Sequence, residues 1–270
     1  MPELPEVETT VRSLNILKNK KVTNIDIYIK KLRYPVSSYK LNKITNFKII
    51  NIRRISKYII LDFDNFCSII VHLGMSGRMK LLNKFNQINK HDHIIFKFNQ
   101  RFYLIYNDPR RFGFVDFTET KKVEKLRYIE RLGIDALDSK LTVDYLYSKI
   151  KRSDVLIKQI LLNQDIVSGI GNIYASEILF DSKISPYRKG KDVNKYQTGT
   201  IIKSIRKILK KAIFFGGSSI NDYIAPDGTL GNFQKKFRVY GKEGFRIKGF
   251  VIKKAVLYGR STFFCSEIQK

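Results

Sequence analysis

Acidic residues are scarce in this chain. Asp and Glu number 24 against 51 Lys and Arg, which leaves a formal charge of +27 over 270 residues. A genome biased toward A and T supplies part of the lysine but does not by itself account for so few acids, and the balance is an electrostatic footprint for a polyanion. Cysteine is nearly absent. With only Cys67 and Cys265 there is no disulfide framework, and a reducing compartment fits. Long apolar runs are missing too. No stretch reaches the roughly 18 residues needed to span a bilayer, the first residues lack a signal-peptide pattern, and no basic amphipathic helix stands alone at an end. These absences predict a cytoplasmic protein with no membrane partner.

What the chain does have begins at its start, Met1-Pro2-Glu3-Leu4-Pro5-Glu6-Val7. Pro2 is small enough for Met1 to be clipped, which leaves a free secondary amine beside the Glu3 carboxylate. An α-amino group titrates near neutral pH, at about 7.7 to 8.0, so part of it is an unprotonated nucleophile. A prolyl nitrogen that attacks an aldehyde-level carbon forms only a cationic iminium, an electron sink suited to elimination. The same residues also read as a helix start: Leu4, Val7, Val11 and Leu14 recur at helical spacing, with Pro5 in the first turn and Glu3 and Glu6 where the dipole favours carboxylates. Both hold together if the helix fixes the amine.

Beyond the helix, alternation dominates to about Phe117, as in Ile59, Leu61, Phe63 and Ile69, Val71, with turn residues between. That pattern predicts an antiparallel β-sandwich. From about Lys121 the period becomes helical, through Val123, Leu126 and Ile129 and later Ile201, Ile205, Ile208 and Ala212. The expected architecture is α+β: an N-terminal helix and sandwich over 1–120, a linker over 121–135, a helical domain over 136–235, and a β-hairpin over 236–270, with a cleft between the two halves.

Several motifs carry chemistry. Lys57 lies in Arg53-Arg54-Ile55-Ser56-Lys57-Tyr58, where a lysine opening a strand is commonly surface. His72-Leu73-Gly74-Met75-Ser76-Gly77 sets a flexible apolar side chain between glycines, and Asn107-Asp108-Pro109-Arg110-Arg111-Phe112-Gly113 forms a second turn. Met75, Arg110 and Phe112 at loop tips are the residue types that wedge into a duplex, although the second loop also reads as a solvated basic turn. His91-Asp92-His93 invites a metal, but on a strand His91 and His93 share a face that Asp92 does not. Gln164 to Glu177, with Gly169, Gly171 and Asn172, joins two apolar-striped segments through a double turn whose backbone N–H groups suit phosphate. Gly216 to Gly231 is rich in glycine and hydroxyls and fits either a linker or a loop that orders over a ligand.

Pro2-Glu3-Leu4-Pro5-Glu6-Val7-Glu8-Thr9, the two loops and the double-turn motif together resemble formamidopyrimidine-DNA glycosylase, nearly end to end. The resemblance implies a bifunctional DNA glycosylase and abasic-site lyase excising oxidised purines, such as 8-oxoguanine and formamidopyrimidines, from double-stranded DNA. It implies Pro2 as nucleophile, Glu3 as proton donor, and Lys57 and Arg260 assisting elimination. It also implies DNA contacts from Met75, His91, Arg110, Phe112, Lys158 and Asn172, a helix-two-turn-helix element around Asn172, and a loop after Gly216 that caps the extruded base. A monomer in the bacterial nucleoid is expected. Leu4, Met75 and Phe112 favour the purine enzyme over an oxidised-pyrimidine glycosylase of the endonuclease VIII type; a non-catalytic DNA-binding relic is the other alternative.

The tail departs from the family. Where members carry a zinc finger with two Cys-x-x-Cys pairs, this chain has Phe245, Lys248, Cys265 and Ile268. One thiolate cannot build a four-coordinate site, so no zinc and no other cofactor is expected, and apolar residues must hold the hairpin that presents Arg260.

Overall fold

The computed structural model describes residues 2–85, 87–219 and 224–270. It divides into two compact units, Met1–Glu130 with Phe215–Gln234, and Arg131–Phe214 with Lys235–Lys270.

The first unit opens with α1 (Leu4–Leu14), whose Leu4, Val7, Val11 and Leu14 are buried. Each such side chain contributes roughly 1.5–3 kcal/mol when removed from water, which makes this stripe the anchor of the N-terminus. There follow β1 (Val22–Ile27), α2 (Ser38–Asn42), β2 (Ile49–Ile55), β3 (Tyr58–Phe63), β4 (Cys67–His72), β5 (Arg78–Leu82), β6 (Asp92–Phe98), β7 (Tyr103–Asn107) and β8 (Phe114–Glu119). They form two four-stranded sheets of order β1-β6-β7-β5 and β2-β3-β4-β8, antiparallel throughout. Inward residues of both sheets, among them Ile52, Leu61, Val71, Met79, Phe96 and Leu104, join Val7 and Val11 in one core. The alternation in the sequence is this sandwich seen one strand at a time. The helical spacing after Lys121 resolves into a 3-10 segment and the short α3 (Arg127–Glu130), because Leu126 takes an extended ψ of 126° between them.

The second unit contains β9 (Ile134–Asp135), α4 (Val143–Ile150), α5 (Ile157–Leu162), β10 (Val167–Ser168), α6 (Asn172–Asp181) and α7 (Lys195–Phe214). Two hairpins close it: β11 (Arg246–Ile247) with β12 (Phe250–Val251), and β13 (Lys253–Leu257) with β14 (Arg260–Phe264). No described helix is long and apolar enough to cross a membrane.

The division differs from the sequence-based one: residues 121–130, expected in a linker, fall with the first unit, and the hairpin expected over 236–270 falls with the helical unit. Residues 215–234, expected with the helical domain, cluster with the sandwich. The buried Glu6 carboxylate accepts the Ser218 N–H at 2.8 Å and its hydroxyl at 3.0 Å, and Pro226 O accepts the Leu81 N–H of the edge strand β5 at 2.7 Å. Residues 220–223 of the expected capping loop, and Met1, lie outside the described residues.

Candidate active site and nucleic-acid interface

Pro2 and Glu3 are buried at the head of α1. Glu3 is the N-cap, and it shares a reciprocal capping box with Glu6, whose Oε2 accepts the Glu3 N–H at 2.9 Å. Glu6 therefore holds two things at once: its Oε2 fixes the backbone next to Pro2, and its Oε1 holds Ser218. Gly217, at φ +76°, makes this approach possible, since a Cβ there would sit 3.0 Å from Glu6 Oε1.

Lys57 occupies a two-residue turn between β2 and β3, with Ser56 at φ 53° and Ile55 paired to Tyr58. Its side chain is 7 % exposed, so it is not the solvated lysine that its place at a turn suggests. Arg54 connects this turn to α1. Its Nε donates to Glu8 Oε2 at 2.9 Å and its Nη1 to Ser56 O at 2.9 Å. Burial alone would raise the Glu8 carboxyl, but the hydrogen bonds from Arg54 and Arg12 outweigh it and hold the group below its ordinary range. Beside the turn, His72 lies in an aromatic cluster with Tyr58 and Phe114. Burial first, then the charges of Lys57 and Arg33, depress it to about 4, so the imidazole is neutral, and its Nδ1 accepts the Gly74 N–H at 3.1 Å.

The Met75 loop and the Arg110–Phe112 loop are clasped together by Asp108, which is fully buried. Its Oδ1 accepts the Ser76 hydroxyl at 2.6 Å; its Oδ2 accepts the Gly113 N–H at 2.8 Å and the Tyr106 hydroxyl at 3.3 Å. Ser76 Oγ accepts the Arg110 N–H at 3.1 Å in turn. Gly74, at φ +60°, and Gly113 permit the close crossing, because a Cβ on Gly74 would lie 2.4 Å from Gly113 N. Out of this buried clasp project exposed tips: Met75 is 41 % and Phe112 47 % exposed, and the Arg110 guanidinium sits 4.8 Å from the centroid of the Phe112 ring. A rigid base bearing exposed apolar and cationic tips is what insertion into a base stack requires.

The sequence placed His91 and His93 on one strand face. The strand starts at Asp92, and His91 lies in the preceding turn, where its carbonyl accepts the Asp108 N–H at 3.1 Å. His93 is buried, with Nε2 2.8 Å from Asp108 O. Asp92 is taken by Lys80 at 2.7 Å, and among the described residues no group of three His, Cys, Asp or Glu side chains could hold a metal ion.

In the second unit, the double turn between α5 and α6 is shaped by one side chain. Gln164 Nε2 donates to Leu162 O and Ile170 O, both at 2.9 Å, and its Oε1 accepts the Gly169 N–H at 2.9 Å. Gly169 has φ 100°, and Gly171 caps α6, leaving Asn172 in the first turn with the dipole behind it. Farther along α6, buried Glu177 accepts the N–H groups of Arg238, Val239 and Tyr240 at 2.9, 2.9 and 2.8 Å. Burial raises this carboxyl although the three bonds oppose it.

The β13–β14 hairpin turns at Tyr258 and Gly259, with φ 49° and 71°, and presents exposed Arg260. Its base packs in a cluster of Phe180, Val239, Ile252, Phe263 and Cys265, with Tyr240, Ile247 and Ile268 against it. At the four positions matching the family's zinc ligands, Phe245 is 66 % exposed, Lys248 offers no soft donor, and Cys265 and Ile268 belong to the apolar cluster. This donor set does not fit zinc.

Residues 1–115 match the formamidopyrimidine-DNA glycosylase N-terminal domain and residues 132–223 the H2TH domain of the same enzyme. The chain belongs to the formamidopyrimidine-DNA glycosylase family. It is 42 % identical over 272 residues to the Zymomonas mobilis formamidopyrimidine-DNA glycosylase, covering all of both chains. To the Rickettsia canadensis enzyme it is 40 % identical, covering 100 % of this chain and 99 % of that one. Its fold superposes on a mutant Lactococcus lactis FPG in complex with Fapy-dG-containing DNA with a TM-score of 0.92 at 33 % identity over the whole of both chains. Wild-type Lactococcus lactis FPG with DNA containing an oxidised pyrimidine gives 0.91 at 32 %, again over all of both chains.

Sequence reasoning missed the residues that hold this family's motif residues in place: Glu6, Arg54, Asp108, Gln164 and Glu177. For Glu6, Arg54, Asp108 and Glu177 a partner distant in sequence is set by tertiary structure, whereas Gln164 binds within its own turn; the Glu3–Glu6 spacing carried a local signal as well.

Proposed function

We propose that this protein is a bifunctional DNA glycosylase and abasic-site lyase that removes oxidised purines from duplex DNA in base excision repair. The observation that carries the reading is the N-terminus: Pro2 and Glu3 buried and locked by the capping box, with the Lys57 turn tied to the same helix through Arg54 and Glu8. A free amine on a fixed helix end is pre-organised for attack, and pre-organisation is a main source of rate.

The reaction needs Met1 removed. Exposed Met75, Arg110 and Phe112 enter the stack as the damaged nucleotide is turned out, with Arg110 facing the orphaned base. The Pro2 nitrogen attacks C1' of the lesion's sugar, the C1'–N bond to the base breaks with its electron pair leaving on the base, and the proton shed by the attacking amine neutralises the departing base. Glu3 gives a proton to O4' as the sugar ring opens, which leaves an iminium between Pro2 and C1'. The iminium acidifies C2'. Loss of a C2' proton expels the 3'-phosphate, and loss of a C4' proton in a second elimination expels the 5'-phosphate, with Lys57 and Arg260 stabilising the departing phosphates. Water then hydrolyses the iminium and regenerates the amine. No cofactor takes part. His91 and the main-chain N–H groups that open α6 at Asn172 hold backbone phosphates, and the +27 charge supplies affinity that weakens with salt.

An end-labelled duplex carrying a single 8-oxoguanine tests this. The expected product is a one-nucleotide gap with phosphate at both ends, and Arg260→Ala or Lys57→Met lowers the rate by about a hundredfold or more. Base release without strand cleavage overturns the lyase half, and no release overturns both halves. The Lactococcus lactis complex with an oxidised-pyrimidine DNA makes such a duplex the second substrate to assay.

A further inference from the structure

The family resemblance gives Lys158 to the DNA phosphates, yet its side chain is 2 % exposed. From α5, its Nζ donates to Asn172 Oδ1 at 2.8 Å, Thr262 Oγ1 at 2.6 Å and Ser261 O at 3.2 Å. Three N–H bonds thus meet three oxygens from two elements. The relay continues at both ends. Asn172 Nδ2 donates to Ser261 O at 2.9 Å, and the Thr262 hydroxyl donates to the carbonyl of Arg260 at 3.2 Å. A phosphate could reach this ammonium only by displacing bonds that buried polar groups do not give up cheaply.

We propose that Lys158 is a positioning residue for Arg260. In a hairpin whose sequence lacks a metal donor set, apolar packing holds the base at Cys265 and Phe263, and the Lys158–Thr262–Arg260 chain sets the tip against the helical body. Asn172 is the hinge of this arrangement: it stands in the first turn of α6 and shares both Lys158 and Ser261. The phosphate-facing helix end and the hairpin arginine are thereby one rigid piece, and the inference rests on the lyase reading given above.

The test is a double-mutant cycle on an abasic duplex, measuring the single-turnover cleavage rate at saturating DNA together with Kd and thermal melting. Lys158→Met and the near-isosteric Thr262→Val remove the chain from opposite ends, and Arg260→Ala removes what it positions. Both chain variants are expected to lower the rate by about ten- to a hundredfold, the scale of an ångström of misplacement, with Kd within about threefold of wild type, since no phosphate contact with Lys158 is lost. Lys158→Met combined with Arg260→Ala is expected to be no slower than Arg260→Ala alone. Should Lys158→Met fail to fold, Thr262→Val with and without Arg260→Ala decides by the same criterion. A wild-type rate for Thr262→Val, or multiplicative losses in the double variant, overturns the proposal and returns Lys158 to the phosphates. A wild-type chain that cleaves neither abasic nor lesion duplex instead sinks the lyase reading, and this proposal with it.

Discussion

Asp108→Asn is the substitution that separates base expulsion from chemistry. In the native clasp one carboxylate oxygen takes the Ser76 hydroxyl at 2.6 Å and the other the Gly113 N–H at 2.8 Å. An asparagine keeps one oxygen acceptor and turns the other into a donor. With the amide oxygen toward Gly113, the NH2 faces Ser76 Oγ and the Ser76 hydroxyl proton loses its acceptor; turned the other way, the NH2 faces the Gly113 N–H, which cannot reorient. The residue is fully buried, so water does not step in, and one unsatisfied buried donor costs about 1–3 kcal/mol. About 2 kcal/mol corresponds to roughly a thirtyfold fall in the ratio of clasped to open loops and, where it is lost from the barrier to base expulsion, to the same factor in rate. On the proposed function, the tips that this clasp aims, Met75, Arg110 and Phe112, act in expelling a stacked base and not in attacking a sugar that has none. The variant is therefore expected to excise 8-oxoguanine from a paired duplex about thirtyfold more slowly, to cleave an abasic duplex within about threefold of wild type, and to melt at lower urea. Equal losses on both substrates, or an unchanged excision rate, would refute the clasp.

Three other outcomes follow from the structure. His72 is depressed to about 4, chiefly by burial and then by Lys57 and Arg33, so the unfolded state binds the extra proton between about pH 6.5 and 4; stability is full above that window and falls by about 2 kcal/mol from pH 7.5 to 5, a slope that urea melts should lose in His72→Phe. Glu177→Gln leaves one of the three N–H groups at residues 238–240 that this buried carboxylate accepts facing an amide donor and is expected to destabilise by about 1–3 kcal/mol, whereas a change under about 0.5 kcal/mol contradicts the account of that anchor. Excess EDTA is expected to leave melting temperature and cleavage rate unchanged, since one thiolate beside Phe245, Lys248 and Ile268 does not hold zinc; a loss restored by added zinc would contradict it.

The sandwich was legible because its strands alternate, and α7 because Ile201, Ile205, Ile208 and Ala212 keep one face. The double turn was legible in its glycines. What sequence could not supply is partnership across the chain. Glu6 and Ser218 lie 212 positions apart, and nothing local in Gly216-Gly217-Ser218-Ser219 says that this loop packs on α1. Lys158 carries the same lesson. The family resemblance makes it a phosphate contact, and only the fold reveals that oxygens of Asn172 and of the hairpin accept its N–H bonds. Burial also reverses the surface reading of Lys57, because Arg54 draws its turn onto the helix.

Borohydride trapping on a duplex with a single 8-oxoguanine tests the central claim most directly, run on the processed protein, on Pro2→Gly, and on a form that retains Met1. A stable covalent adduct on the lesion duplex, mapped to the Pro2 nitrogen by peptide mass and abolished when Met1 stays attached, is the predicted result. Tight binding with no adduct on either lesion or abasic DNA, or an adduct that maps to a lysine, would contradict it.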